Sequence, residues 1–298
     1  MKFAGTYTAL ITPFRNGTFD TVAYRQIVEK QIASGVDGIV PVGTTGESPT
    51  LTTEEHTEVI RLAVELAQGS IQVIAGTGSN STAEAIHLTQ EAEKLGANAA
   101  LLVAPYYNKP SQEGLYQHYR EIARSTLLPL LLYSIPGRCG TEIHVDTVVR
   151  LAADCPNIVA LKEAGGNVER ISQLRTKLPA SFSLLSGDDS LTLPFLAVGG
   201  QGVISVASNV IPQEITQFVK AWNVGKSDVA LEFHLKYYSF FKSLFVETNP
   251  VPVKYALSLL GISSAEVRLP LCELSKSSQA CVRSAMEAIG ILSPLPPQ

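Results

Sequence analysis

The hydrophobic and polar positions of this chain follow one repeating unit. A short apolar run, typical of a strand buried on both faces, is followed by a polar or glycine-rich turn and then by an amphipathic stretch with helical spacing. Eight such units occur in order, which predicts eight β-strands alternating with eight α-helices. The predicted strands are Thr6–Ile11, Gly38–Val42, Gln72–Ala75, Ala99–Ala104, Leu128–Tyr133, Ile158–Lys162, Ser183–Leu185 and Gly202–Val206. The predicted helices are Ala23–Ala33, Glu54–Ala67, Ala83–Leu95, Glu113–Ser125, Asp146–Ala153, Val168–Leu178, Ser190–Val198 and Gln213–Asn223.

Eight consecutive strand-helix units are typical of one α/β fold, the (β/α)8 TIM barrel. A doubly wound sheet of similar length usually carries a glycine-rich dinucleotide motif after its first strand, but Thr12, Pro13 and Phe14 stand there. From about Lys226 the strand patterns stop and helical patterns continue. We therefore predict a barrel over residues 1–225 and a C-terminal helical domain over residues 226–298. The helices of that extension are predicted at Ser227–Leu244, Pro252–Leu260 and Ser277–Ile289, with a frayed proline-rich end at Pro294–Gln298.

Composition narrows the possible partners. The 298 residues include 23 lysines and arginines and 27 aspartates and glutamates, a net charge of −4, without a basic cluster that would bind nucleic acid. No uninterrupted apolar run reaches the ~20 residues that cross a bilayer, so we expect no membrane span. The four cysteines contain no Cys-x-x-Cys pair and no signal peptide is recognisable, which predicts reduced thiols and a cytoplasmic protein. The five histidines form no His-x-His or His-Glu-x-x-His motif, so we predict no metal site.

The polar residues that follow the predicted strands are the candidates for chemistry, because a barrel places its active site at the carboxyl ends of its strands. Lys162 ends the sixth apolar run and shares one face of that strand with Ile158 and Ala160. If that face points into the barrel, burial lowers the pKa of the amine, and a neutral amine can attack a carbonyl group to form a Schiff base. The alternative is a strand-end lysine whose ammonium reaches solvent.

Tyr133 ends the fifth strand, so adjacent strands would place its phenol beside Lys162 as a proton relay. Thr44 and Thr45 stand between glycines after the second strand and offer hydroxyl groups. Arg138 follows the fifth strand, where a guanidinium suits the carboxylate of a substrate. Each residue also has a structural alternative. Tyr133 could be an aromatic residue at the barrel rim, Thr44 and Thr45 part of an ordinary turn, and Arg138 a surface arginine in a salt bridge.

Six segments, in order along almost the whole chain, resemble the dihydrodipicolinate synthase family of pyruvate-dependent class I aldolases. They are Gly43–Ser48, Tyr106–Gly114, Tyr133–Arg138, Leu161–Ala164, Leu185–Asp189 and Asn249–Lys254. The resemblance implies that Lys162 forms a Schiff base with pyruvate, without a separate cofactor. The resulting enamine would attack L-aspartate-4-semialdehyde, and cyclisation would commit carbon to diaminopimelate and lysine.

The resemblance also implies roles for further residues. Tyr133, Thr44 and Tyr107 would form a proton relay, with Tyr107 entering the site of a neighbouring subunit in a homotetramer built as two dimers. Thr45 would hold the pyruvate carboxylate and Arg138 the semialdehyde carboxylate. Backbone groups of Gly187 and Ile204 would surround Lys162. Gly137 and Cys139 stand where relatives often have Ser or Gly, and Thr, which could loosen the arginine; we interpret the cysteine as structural.

Some members of the family are inhibited by L-lysine, and the matching residues here are Ser48, His56, Asn80, Glu84 and Tyr106. Agreement is incomplete, because Pro49 and Thr53 stand where inhibited relatives often carry Ala and His. A structural role is the alternative for two of these residues. Glu84 fits a capping box with Ser81, as Glu55 does with Thr52, and His56 could be a solvated histidine of the first helical turn.

Two other functions stay open at the level of sequence. A sibling aldolase, such as an N-acetylneuraminate lyase or a 2-keto-3-deoxygluconate aldolase, would use the same Schiff-base chemistry on a polyol aldehyde. Arg138 argues against it, because a polyol has no second carboxylate. A non-catalytic barrel that senses pyruvate or lysine is the other alternative, and the complete set of Lys162, Tyr133, Thr44 and Tyr107 argues against that one.

Overall fold

A computed structural model describes residues 2–293, so the predicted frayed end at Pro294–Gln298 lies outside the described residues. Eight parallel strands alternate with eight main helices. The strands are β1 Gly5–Ala9, β2 Gly38–Val40, β3 Gln72–Gly76, β4 Ala99–Val103, β5 Leu130–Ser134, β6 Ile158–Glu163, β7 Ser183–Ser186 and β8 Gly202–Ser205. The helices that follow them are α1 Thr21–Ala33, α2 Thr53–Ala67, α3 Thr82–Lys94, α4 Gln112–Arg124, α5 Val145–Asp154, α6 Glu169–Lys177, α7 Thr192–Ala197 and α8 Pro212–Asn223.

The eight strands close into one barrel in sequence order, with β1 between β2 and β8. The barrel closes where Gly5 pairs with Gly202, and a Cβ at Gly202 would lie 2.1 Å from the Gly5 carbonyl oxygen. Every residue of β1, β5 and β8 is buried, as expected for parallel strands covered on both faces. The predicted (β/α)8 fold is therefore confirmed.

Alternate residues of the strands form a separate cluster inside the barrel. Its buried members include Tyr7, Val40, Ile74, Leu101, Leu131, Tyr133, Ala160, Leu185 and Ile204. The other face of each strand packs against the helices, so the period of two along each strand divides the core into an inner and an outer layer. Lys162 continues the inward face of β6, two residues after Ala160.

Local capping agrees with one of the two predicted capping boxes. At the start of α2, Thr52 and Glu55 bond to each other's backbone N–H, as predicted. At the start of α3, Ser81 accepts from the Glu84 N–H, but the Glu84 carboxylate bonds to the Ser79 hydroxyl instead of closing the box. The second capping box is therefore wrong, because the Ser79 hydroxyl, five residues before Glu84, takes the carboxylate.

Several short elements were not predicted, among them the 3₁₀ turns Ser48–Thr50 and Ala207–Asn209. A two-stranded hairpin, Phe14–Arg15 with Thr18–Phe19, follows β1, and a one-turn helix, Pro136–Cys139, follows β5. The predicted seventh helix begins as the 3₁₀ turn Asp189–Leu191 before α7. These elements lie at the ends of barrel strands, where the chain adapts to the site.

After α8 the described chain is helical, with α9 Ser227–Ser243, α10 Val251–Leu259 and α11 Lys276–Ala288. Buried residues of all three helices belong to the same hydrophobic cluster as residues of α1, α2 and α8. The helical extension is as predicted, while a domain boundary at residue 225 stays a prediction. None of the helices between residues 2 and 293 combines the length and apolarity needed to cross a bilayer.

Candidate active site

Lys162 and Tyr133 lie side by side at the carboxyl ends of β6 and β5. The strand register pairs them directly, and the Lys162 Nζ lies 4.2 Å from the centre of the Tyr133 ring. Both side chains are buried. The proximity expected from strand alternation is thus present, and an amine and a phenol share one end of the barrel interior.

Burial changes the proton affinity of both groups. Desolvation lowers the pKa of Lys162 to about 7, with the negative charge of Asp189 opposing this shift and Arg138 adding to it. Desolvation raises the pKa of the Tyr133 phenol to about 12, and a hydrogen bond with Thr44 opposes that shift. At neutral pH a large share of Lys162 is therefore the uncharged amine that attacks carbonyl carbon, while Tyr133 stays protonated and can donate.

Asp189 supplies a buried carboxylate near this lysine, a role that the sequence alone did not reveal. It accepts hydrogen bonds from the Val206 and Ala207 N–H groups, each at 3.0 Å, and from the Ser205 hydroxyl at 2.5 Å. Burial raises the pKa of Asp189 to about 6, against the effect of these hydrogen bonds. The pair Asp188-Asp189 after the seventh apolar run was the available sequence signal.

Gly187 leaves the space that Lys162 occupies. A Cβ at this position would lie 2.7 Å from the Ala164 Cβ and 3.0 Å from the Lys162 Cε. The Gly187 N–H donates to the Glu163 carbonyl oxygen at 2.7 Å, which ties the end of β7 to that of β6. Ile204 is fully buried in the same interior cluster as Tyr133. Both predicted residues therefore lie on the inner wall of the barrel.

The turn after β2, Gly43–Ser48, brings two hydroxyl groups to this end of the barrel. Thr44 contacts Tyr133 and lines a cavity beside it. Thr45 is buried and receives a hydrogen bond from Asn249. A turn was the structural alternative for these residues, and the structure shows a turn whose side chains reach the buried polar groups.

A buried ion pair anchors the same turn. Glu47 adopts a left-handed backbone with φ 54°, and its carboxylate lies against the Lys254 ammonium from α10. Both side chains are almost completely buried, and the Arg268 N–H donates to Glu47 Oε2 at 3.0 Å. Burial lowers the pKa of Lys254 to about 8, and the Glu47 charge opposes this. The C-terminal helical extension therefore fixes the turn that carries both threonines.

Asn249, just before α10, connects two of the predicted carboxylate-binding residues. Its Nδ2 donates to Thr45 Oγ1 at 3.0 Å, and its backbone oxygen accepts from Arg138 Nη2 at 3.0 Å. Arg138 is solvent-exposed but belongs to the one-turn helix Pro136–Cys139, so its backbone is ordered in spite of Gly137. The sequence marks Asn249 only as part of a motif, because nothing in the pattern places it beside residues more than a hundred positions away.

One cavity of about 400 Å³ joins several predicted residues. Its walls include three of the proposed substrate residues and four of the proposed inhibitor residues. These are Thr44, Tyr133 and Arg138, together with Ser48, His56, Glu84 and Tyr106. Residues of both predicted sites therefore face a single space within the chain.

His56 is buried, so the interpretation as a solvated histidine is wrong. Its Nε2 lies 2.9 Å from the Gly76 carbonyl oxygen. Because a carbonyl only accepts, this bond needs the proton on Nε2, which leaves Nδ1 as an acceptor. Burial lowers the pKa of His56, and Glu84 opposes that shift. A neutral imidazole and a carboxylate thus face one cavity, an arrangement that can receive an ammonium group.

Six predicted residues are not among the walls of this cavity as residues 2–293 define them: Lys162, Thr45, Gly187, Ile204, Tyr107 and Asn80. Tyr107 is 91% exposed and has a left-handed backbone with φ 72°, unusual for a large side chain. Asn80 accepts from Asn108 through its backbone oxygen at 2.9 Å. Among the described residues, no group of three His, Cys, Asp or Glu side chains could hold a metal ion.

Comparisons with known proteins show the family of the chain. A family model described as the dihydrodipicolinate synthetase family matches residues 2–289. The 4-hydroxy-tetrahydrodipicolinate synthase of Aquifex aeolicus (strain VF5) is 50% identical over 285 residues, 96% of this chain and 97% of that protein.

Two solved structures are also similar over nearly their whole length. The 4-hydroxy-tetrahydrodipicolinate synthase from Methylacidiphilum fumariolicum SolV has a TM-score of 0.96 at 55% identity, covering 97% of this chain and 96% of that one. The lysine-bound synthase of Cyanidioschyzon merolae has a TM-score of 0.95 at 44% identity, covering 97% and 99%. The chain therefore belongs to the dihydrodipicolinate synthetase family of class I aldolase-type lyases.

Proposed function

We propose that this enzyme condenses pyruvate with L-aspartate-4-semialdehyde to form 4-hydroxy-tetrahydrodipicolinate, in the pathway to diaminopimelate and lysine. The observation that carries the proposal is Lys162, a buried amine with a pKa of about 7 at the carboxyl end of β6. The lysine itself activates the carbonyl group, so the proposal includes no cofactor or metal. The functional names of the relatives support the choice of substrates.

The reaction begins when the Lys162 amine adds to C2 of pyruvate and the resulting carbinolamine loses water to give a Schiff base. Loss of a proton from the methyl group then gives an enamine, whose carbon attacks the aldehyde of the semialdehyde. The semialdehyde amino group finally attacks the imine carbon and displaces Lys162, which closes the ring. Tyr133, protonated and in contact with Thr44, carries protons during addition and dehydration.

The two carboxylate groups are held by different residues in this proposal. Thr45 binds the pyruvate carboxylate, and Arg138 binds that of the semialdehyde. Gly187 and Ile204 shape the wall around the Schiff base. The 91% exposure of Tyr107 supports a role in the site of a neighbouring subunit, as the third member of the relay in a homotetramer.

L-lysine is proposed as an inhibitor that binds through Ser48, His56, Asn80, Glu84 and Tyr106. Four of these residues line the cavity that also contains Thr44, Tyr133 and Arg138, which offers a short route between the inhibitor and the catalytic groups. Calorimetric titration with L-lysine tests this part directly. A dissociation constant of 1 mM corresponds to a binding free energy of about −4 kcal/mol. Absence of binding at millimolar L-lysine would contradict the proposed inhibitor site.

The central experiment is reduction of the enzyme with borohydride in the presence of pyruvate, followed by intact mass measurement and peptide mapping. We expect one adduct on Lys162. Lys254 is an internal control, because it is also buried but its ammonium is paired with Glu47. An adduct on another lysine, or none, would contradict the proposal.

A sibling aldolase acting on a polyol aldehyde is the second candidate, and Arg138 distinguishes the two. Replacing Arg138 with Leu should lower kcat/KM for L-aspartate-4-semialdehyde by ~100-fold, since a charge-assisted bidentate contact is lost, and should leave pyruvate trapping nearly unchanged. Equal loss of both would exclude the assigned role. A higher kcat/KM for a sugar-derived ketoacid would favour the sibling reaction.

A further inference from the structure

Asn249 occupies a position between the two proposed carboxylate-binding residues. It is 5% exposed and precedes α10, where its side chain contacts Thr45 and its backbone oxygen contacts Arg138. The Nδ2 group donates to Thr45 Oγ1, so the hydrogen of that hydroxyl is free to bond elsewhere. Asn249 therefore contacts both proposed carboxylate-binding residues from the segment just before α10.

The Asn249 side-chain amide also has an oxygen atom, Oδ1, which can accept hydrogen bonds. Among residues 2–293, no hydrogen-bond donor is bonded to its buried Oδ1 atom. A buried acceptor without a donor is unfavourable, because it has lost its bonds to water. Such an atom beside a binding residue is suited to receive a donor from the bound substrate.

We propose that Asn249 Oδ1 accepts a hydrogen bond from the amino group of the aldehyde substrate and selects an amino-acid semialdehyde over an analogue without nitrogen. This inference rests on the proposed function, because it takes the carboxylate of that substrate to lie on Arg138. In an α-amino acid the nitrogen is bonded to the carbon that bears the carboxylate. A carboxylate held on Arg138 therefore places the nitrogen close to Asn249, whose backbone oxygen is 3.0 Å from that guanidinium.

The chemistry of the amide supports discrimination. A carbonyl oxygen only accepts hydrogen bonds, so it pairs with an amino or ammonium group and gains nothing from a hydrogen on carbon. A site with a polar group that pairs only with the correct ligand rejects an analogue lacking the partner more strongly than an apolar pocket does. The contact would also orient the nitrogen that later closes the ring.

The alternative is that Asn249 only positions Thr45, and the two roles differ in their effect on ligands. Succinate semialdehyde has the carboxylate and the aldehyde of L-aspartate-4-semialdehyde but no amino group. In Asn249→Ala we expect kcat/KM for the amino-acid substrate to fall at least tenfold. The inhibition constant of succinate semialdehyde should change by less than about threefold, because that ligand makes no contact with Oδ1.

Asn249→Asp is the second variant and protects the test against a loss of folding in Asn249→Ala. It keeps the size and one acceptor oxygen, and its charge attracts an ammonium group while it repels carboxylates. Binding of both aldehydes should weaken, but the preference for the amino-acid substrate should be equal to or greater than in the wild type. The preference is therefore lost in one variant and retained in the other.

Three outcomes would overturn the inference. Equal weakening of the two aldehydes in Asn249→Ala would show a positioning role only. Loss of preference in Asn249→Asp would exclude a hydrogen-bond acceptor as its source. If the wild-type enzyme traps pyruvate but does not use L-aspartate-4-semialdehyde, the proposed function fails first and this inference with it. Circular dichroism and thermal unfolding confirm that each variant is folded.

Discussion

Replacing Gly187 with Ala tests how closely the barrel wall fits Lys162. The new Cβ would lie 3.0 Å from the Lys162 Cε and 2.7 Å from the Ala164 Cβ. Carbon atoms prefer separations of about 3.5–4.0 Å, so the lysine side chain must move by about 0.5–1 Å. Gly187 itself has no positive φ, so its backbone accepts alanine without strain. The expected effect is therefore on the position of the amine.

A misplacement of about 1 Å can lower the rate of a positioned reaction by about 10²-fold. We expect Gly187→Ala to slow borohydride trapping of pyruvate by ~10- to 100-fold, with a stability loss of about 1–3 kcal/mol from overpacking. The assay follows the appearance of the pyruvate adduct by intact mass. The temperature of half-unfolding, Tm, reports the stability separately.

Two further variants make this test specific. Gly137→Ala is the matched control, because a Cβ at Gly137 meets no atom within 4 Å, so trapping should be unchanged. Adding Ala164→Gly to Gly187→Ala removes the closest contact and should restore part of the rate. Trapping by Gly187→Ala within threefold of the wild type would refute the reasoning.

The remaining predictions concern charge. The rate of pyruvate trapping should rise with pH and reach half its maximum near pH 7, because the neutral amine of Lys162 is the reactive form and its pKa is about 7. Asp189→Asn should move this midpoint to lower pH, since the Asp189 charge raises the pKa of the lysine. Lys254→Met should lower the free energy of unfolding by about 3–5 kcal/mol, measured with urea, because Glu47 is left buried without its cation.

The outcomes that contradict these predictions are distinct. A trapping midpoint above pH 9, or a shift to higher pH in Asp189→Asn, would show that burial does not control the reactivity of Lys162. For the ion pair, Glu47→Gln combined with Lys254→Met should recover most of the stability, because no charge then stays buried. Equal instability of the single and double variants would assign the loss to packing.

The C-terminal helices contribute to the site through the turn after β2. Lys254 pairs with Glu47, and Asn249 bonds to Thr45, so both residues hold one short segment from outside the barrel. The contacts cross more than two hundred positions of sequence. Residues 226–298 were predicted as a helical extension from their pattern alone, and that pattern carries no information about which turn they fix.

The sequence was sufficient to predict the barrel because each strand-helix unit repeats the same pattern of hydrophobic and polar residues. Buried parallel strands need apolar runs, and covering helices need an apolar stripe, so eight repeats appear directly in the pattern. Alternation along β5 and β6 also predicted that Tyr133 lies beside Lys162, and the strand register agrees. These features depend only on residues close together in the chain or on the alternation of side chains between the two faces of a strand.

Tertiary structure alone decided the partners of individual polar groups. Glu84 bonds to Ser79 instead of completing its predicted capping box. The buried His56 ring contacts the Gly76 carbonyl oxygen, and Asp189 lies near the lysine from the turn after β7. Each choice depends on distances between groups that are fixed only in the folded chain. The sequence by itself therefore predicted the scaffold and the candidate lysine, while folding determined the pKa of that lysine, since burial and the surrounding charges exist only in the closed barrel.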